Sequence, residues 1–293
     1  MSNSNVGRLK ARRSAPDGLT PLRSLNPFIF PPADPGRLRD MTYLHLREPF
    51  SAWSHGLWLV LSLPATALLL RRSGHDRAKG MSMLVFGLTS AACYLGSMLY
   101  HGVRLSQEGL DFFERLDHVG IHLLIAGSYT PLAWNLLRGV WRWGTLTAIW
   151  LTTLVGSLLL LARVRLPMPL QTCEYLALGW GALLCYYQIT RVVSHRAMRW
   201  LVAGGFFYSF GAMLNLLHWP VLWPGVIGSH EFFHLWVMAG TTAHFWFFLT
   251  AVVPFAATVN SEPQPIPVWN TYGLESQERN SPFQESASRF NSG

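Results

Sequence analysis

The sequence predicts an all-α membrane protein, a seven-transmembrane-helix bundle with disordered N- and C-terminal tails, on three observations. Hydrophobic residues make up 50% of the chain and charged residues only 13%, about half the charged share of a soluble globular protein. The apolar residues come in runs of roughly 20, the length at which a helix crosses a bilayer. Those runs are too long for strands and apolar on every side, and in lipid only helices and closed barrels satisfy the backbone.

The runs are Ala52–Leu70, Met81–His101, Asp117–Leu137, Gly144–Ala162, Leu170–Thr190, Ala197–Leu217 and His230–Pro254, within a domain of residues 48–255. Basic residues collect in the loops between them. Arg71, Arg72, Arg77, Lys79, Arg138, Arg142, Arg191, Arg196 and Arg199 fall on one side, and Arg104, Arg115, Arg163 and Arg165 on the other. Adding Arg37, Arg39 and Arg47 ahead of the first run brings the two sides close to balance, so positive-inside counting leaves the orientation open. Cys93, Cys173 and Cys185 lie inside runs with no CxxC pair, which reads as helix packing rather than a disulfide framework.

Residues 1–47 form a basic N-terminal tail rich in Pro, where Arg8, Lys10, Arg12, Arg13, Arg23, Arg37, Arg39 and Arg47 face Asp17, Asp34 and Asp40. A segment of that composition buries no core and is expected to be disordered. It has no apolar h-region before a small-residue cleavage site, so no cleaved signal peptide is read there. Residues 256–293 are polar and are likewise expected to be disordered. The net charge of +8 comes mainly from the first tail, and no nucleic-acid-binding motif accompanies it, so no nucleic-acid partner is inferred.

Ionisable groups kept in membrane spans are expensive and usually functional. Counting helix ends places Ser97, His101, Asp117, His230 and His234 at the same side of the membrane, and Glu48, His55 and Glu174 with them. His230 and His234 are four apart, so they project from one helix face, and Ser97 and His101 repeat that spacing. Two imidazoles on one face with a third from another helix make a three-nitrogen set for Zn2+, leaving its fourth position open as in catalytic sites. Asp117, read as opening a helix where the dipole favours an anion, either holds the attacking water or orients a histidine. Singly, each residue also has a packing or helix-end explanation; the conjunction on one side carries the metal reading. His118, His122, His218 and His244 are read as packing or hydrogen-bonding residues.

The string His230-Glu231-Phe232-Phe233-His234 also fits HExxH, in which the glutamate is the general base of a zinc protease. The next histidine, His244, is ten residues on rather than six, so the metzincin form is absent. Glu231 is explained more simply as a first-turn acid behind a Ser229 cap.

At these residues the chain resembles the progestin and adipoQ receptor family and, within it, the hemolysin III-like branch. The matching stretches are EPFSAWSHG at Glu48–Gly56, SMLYHG at Ser97–Gly102, ERLDHVGIHLLIAGSYTP at Glu114–Pro131 and SHEFFHLWVMAGTTAHF at Ser229–Phe245. His118 follows the motif aspartate where the receptors carry an aromatic, which favours the hemolysin III-like branch. The resemblance implies seven transmembrane helices in a cell membrane, plasma or bacterial inner, with a cytoplasmic N-terminus. It implies zinc on His101, His230 and His234, with Asp117 and Ser97 beside it as catalytic residues. Through the family's relation to membrane ceramidases it implies hydrolysis of a ceramide-like lipid amide or ester.

The leading expectation is therefore an integral membrane zinc protein with lipid amidohydrolase chemistry, Asp117 accepting the water's proton and Ser97 donating to the oxyanion. The alternatives are a non-enzymatic receptor or sensor with structural zinc, then a cytolytic pore, then an HExxH intramembrane protease.

Overall fold

A computed structural model describes residues 46–255 apart from 165 and 225. Both tails expected to be disordered lie outside the described residues, save Leu46 and Arg47. Among the described residues the fold is helical, with no strand beyond one isolated bridge between Trp223 and Ile227. The helices are α1 (Pro49–Arg72), α2 (Arg77–Gly102), α3 (Gln107–Leu136), α4 (Gly139–Leu161), α5 (Met168–Trp180), α6 (Tyr186–Thr190), α7 (His195–Leu216) and α8 (Ser229–Phe247). A 3-10 turn, Gly181–Cys185, joins α5 to α6, and a π turn, Phe248–Val252, extends α8.

Each of the seven apolar runs coincides with a helical segment, the fifth in three pieces. Four segments are long and apolar enough to cross a membrane by length and composition: α1, α2, α4, and α8 with its π turn. Their outer faces are apolar rather than polar. Trp53, Val60 and Leu63 on α1 and Val140, Leu154 and Leu158 on α4 are all exposed. A surface of that kind is stable against lipid and costly against water.

Helix ends follow local chemistry. Pro49 occupies the first turn of α1, where its missing N–H costs nothing. Asp76 caps α2 by accepting from the Lys79 backbone N–H at 2.9 Å, Ser106 caps α3, and Ser194 caps α7. Two expectations change here. The helix carrying Asp117 begins ten residues earlier, at Gln107, so Asp117 sits well inside α3 and the dipole argument for it does not apply. The cap of α8 is Gly228, not Ser229, and the Glu231 carboxylate accepts the Gly228 N–H at 2.8 Å.

α2 packs on α1 and α3, α4 on α3, and α8 on α7. The α2–α3 contact is close because small residues line it. A Cβ on Gly120 would lie 2.8 Å from the Cys93 Cα, and one on Gly96 would lie 3.4 Å from the Asp117 Cα. The main apolar core runs through Cys93, Leu124 and Val237 to Leu69, Met83, Phe247, Phe248 and Val252 at the end of the helices opposite the polar cluster. There the buried Lys79 ammonium donates to the carbonyls of Val253 at 3.0 Å and Phe255 at 2.6 Å, tying the start of α2 to the end of the last helix.

Candidate metal centre

Three helices bring the polar residues together at the opposite end. His101 stands in the last turn of α2, Asp117 in α3, and His230 and His234 in the first turns of α8. One ring nitrogen from each of His101, His230 and His234 lies within 4.8 Å of the other two. The Nε2 atoms of His101 and His230 are 3.3 Å apart. The carboxylate oxygen Oδ2 of Asp117 is 4.0 Å from the His101 Nε2. His101, His234 and Ser97 are buried, each 1% exposed.

This donor set suits a zinc ion. Tetrahedral coordination with Zn–N bonds of about 2.0–2.1 Å separates ligand nitrogens by about 3.3 Å, which is the spacing of the His101 and His230 pair. His234 is buried, and one of its ring nitrogens lies within 4.8 Å of those of both other histidines. The triad as a whole, reaching to 4.8 Å, is looser than a closed site.

Ser97 lies one helical turn before His101, and its buried hydroxyl stands beside the Asp117 carboxylate. The close α2–α3 approach at Gly96 delivers Asp117 to that position. The residues expected on spacing alone are thus brought to one place, and two further groups join them. His55 of α1 lies against His234, and the Glu48 carboxylate meets the His101 Nδ1. Both were on the right side by helix counting, but nothing in the spacing gave them partners. The available signal was the inward stripe of α1, in which Ser51, Ala52 and His55 recur at helical spacing behind Glu48. Burial pushes the Glu48 carboxyl above its ordinary value, opposed by the Arg47 guanidinium beside it.

Glu174 does not join the triad. It pairs with His122 at 3.2 Å, between α3 and α5, where the Thr153 hydroxyl also donates to the His122 carbonyl at 3.3 Å. His244 is half-buried against Tyr208 in the α7–α8 contact. Glu231 has both carboxylate oxygens engaged, Oε2 by the Gly228 N–H and Oε1 by the Ser51 hydroxyl at 3.1 Å. It closes the first turn of α8 and ties that turn to α1.

A model of the family described as Haemolysin-III related matches residues 43–245, which include every residue of this cluster. The chain is 30% identical to Hemolysin-3 of Bacillus cereus over 223 residues, covering 75% of this chain and 99% of that protein. It is 28% identical to the Hemolysin-3 homolog of Bacillus subtilis (strain 168) over 212 residues, 71% of this chain and 96% of that one. It is 25% identical to the Adiponectin receptor protein of Drosophila melanogaster over 218 residues, 68% of this chain and 49% of that protein.

Proposed function

Because the chain belongs to the haemolysin-III related family, we propose that it is an integral membrane zinc protein that hydrolyses a lipid amide or ester. All seven helical segments are read as spans, α3, the α5–α6 segment and α7 together with the four that qualify by length and composition alone. The observation that carries the reading is the convergence of three buried or half-buried imidazoles within 4.8 Å, with a carboxylate 4.0 Å from one of them. Structural ion pairs alone do not require three neutral donors facing one point.

His101, His230 and His234 would hold the ion. Bound zinc supplies Lewis-acid polarisation of a carbonyl and lowers the pKa of water toward about 7. Asp117, near but outside the triad, accepts the proton of the attacking water and returns it to the departing amine or alcohol as the C–N or C–O bond breaks. The Ser97 hydroxyl, buried beside Asp117, donates to the oxyanion that develops on the carbonyl. The products are a fatty acid and an amine or alcohol.

Asp117→Asn tests this. It keeps size and shape and leaves the three histidines in place. Purified wild type presented with ceramide-like amides and ester lipids is expected to release fatty acid, and the variant to bind zinc but lose on the order of 100-fold or more in turnover. A zinc-loaded wild type that releases no fatty acid from any of them moves the reading to a receptor in which zinc staples α2 and α8, which the similarity to the Drosophila receptor favours. On the family resemblance alone we take the N-terminus as cytoplasmic, with the metal centre near that face; a C-terminal reporter active only in the cytoplasm reverses this.

A further inference from the structure

We propose that Glu48, a residue outside the metal-binding triad, is the positioning residue of the metal centre, fixing the tautomer and ring orientation of His101. The inference rests on the zinc reading above. A neutral imidazole carries one N–H and one lone pair, and whichever nitrogen donates a hydrogen bond leaves the other free as a ligand. The Glu48 Oε2 meets the His101 Nδ1, so the proton belongs on Nδ1. That leaves the lone pair on Nε2, the atom 3.3 Å from the His230 Nε2 and 4.0 Å from Asp117. A carboxylate behind a ligating histidine also raises the basicity of the imidazole.

The carboxylate is itself held in place. The Glu48 backbone N–H donates to the His101 carbonyl at 2.9 Å and the Arg47 N–H to the Gly102 carbonyl at 3.3 Å. The Arg47 guanidinium donates to the Tyr100 carbonyl at 2.7 Å, lies 4.4 Å from the centre of the Tyr100 ring, and pairs with the other Glu48 oxygen at 3.4 Å. These bonds take up three carbonyls that the end of α2 would otherwise leave without partners. Arg47 and Glu48 thus cap α2 and aim a carboxylate at its last histidine in the same stroke. A cap alone would need only the backbone and the arginine, since the contact to the His101 ring adds nothing to the helix end.

The experiment measures zinc affinity of the full chain in detergent, by competition with a metal-binding dye, for wild type, Glu48→Gln and Glu48→Ala. The visible spectrum of each cobalt-loaded protein and the melting of each metal-free protein are recorded alongside. Glu48→Ala is expected to bind zinc about 10–100-fold more weakly. Glu48→Gln, whose amide oxygen still accepts the Nδ1 proton without a charge, is expected to fall between, with a shifted cobalt spectrum and metal-free melting like wild type. Equal zinc affinity in all three overturns the proposal. So does a loss confined to Glu48→Ala that is matched by a lowered metal-free melting point while Glu48→Gln binds as wild type, because that is the behaviour of a helix cap. Wild type that binds no zinc overturns the metal centre itself, and the inference with it.

Discussion

His55 lies flat against His234, their ring centroids 3.9 Å apart and their planes 16° from parallel. Tyr94 meets His55 edge-on at 5.4 Å. His55 is buried, and its ring acts on His234 as an aromatic wall. It fixes the plane in which His234 presents its nitrogens to the triad.

A wall needs an aromatic ring rather than a nitrogen. His55→Phe is therefore expected to keep zinc content and to melt close to wild type, since it keeps an aromatic ring against His234. His55→Ala empties the space behind His234 and is expected to cost about 2–4 kcal/mol, with weakened metal retention. Melting in detergent and metal content check both. Loss of zinc in His55→Phe would make His55 a ligand instead.

Glu231 is an end-of-helix residue with two hydrogen bonds, to the Gly228 N–H and the Ser51 hydroxyl. Glu231→Gln keeps an acceptor and loses the charge that the helix N-terminus favours, a cost of a few tenths to about 1 kcal/mol. Zinc and lipid hydrolysis are both expected to persist. Abolished hydrolysis with zinc retained would point instead to the HExxH mechanism.

Gly120 sets the distance between α2 and α3. Because its Cβ position is 2.8 Å from backbone of α2 rather than from a flexible side-chain tip, Gly120→Ala forces the helices apart at a cost of about 1–3 kcal/mol. Asp117 is one helical turn away and moves with α3, while the histidines belong to α2 and α8. The expected outcome is a lowered melting point and a fall in hydrolysis larger than the fall in zinc content, measured on one preparation.

Much of this arrangement was legible in the chain before any coordinates. Apart from the start of α3, the apolar runs locate the helix ends to within about five residues, because bilayer thickness and helix rise leave little choice of length. Counting helix ends puts Ser97, His101, Asp117, His230 and His234 at one side, and the two four-residue spacings put each pair on one face. The rest depends on contacts between residues far apart in sequence. Asp117 lies inside α3 because Ser106 provides the cap and the helix begins ahead of the apolar run, among polar residues. The fifth run breaks into α5, a 3-10 turn and α6, which an apolar run does not announce. Glu48 and His101 are separated by 53 residues, and their contact requires the path of the chain between α1 and α2. His55 gave no partner for the same reason, and its stacking on His234 joins the first helix to the last.

The most direct test of the central claim is metal analysis of the purified full chain beside His101→Ala, His230→Ala and His234→Ala. Three neutral imidazoles with an open fourth position predict about one tightly held zinc per wild-type chain, and most of it lost in each single variant. Full zinc occupancy in all three variants, or none in the wild type, would contradict the assignment of the metal centre.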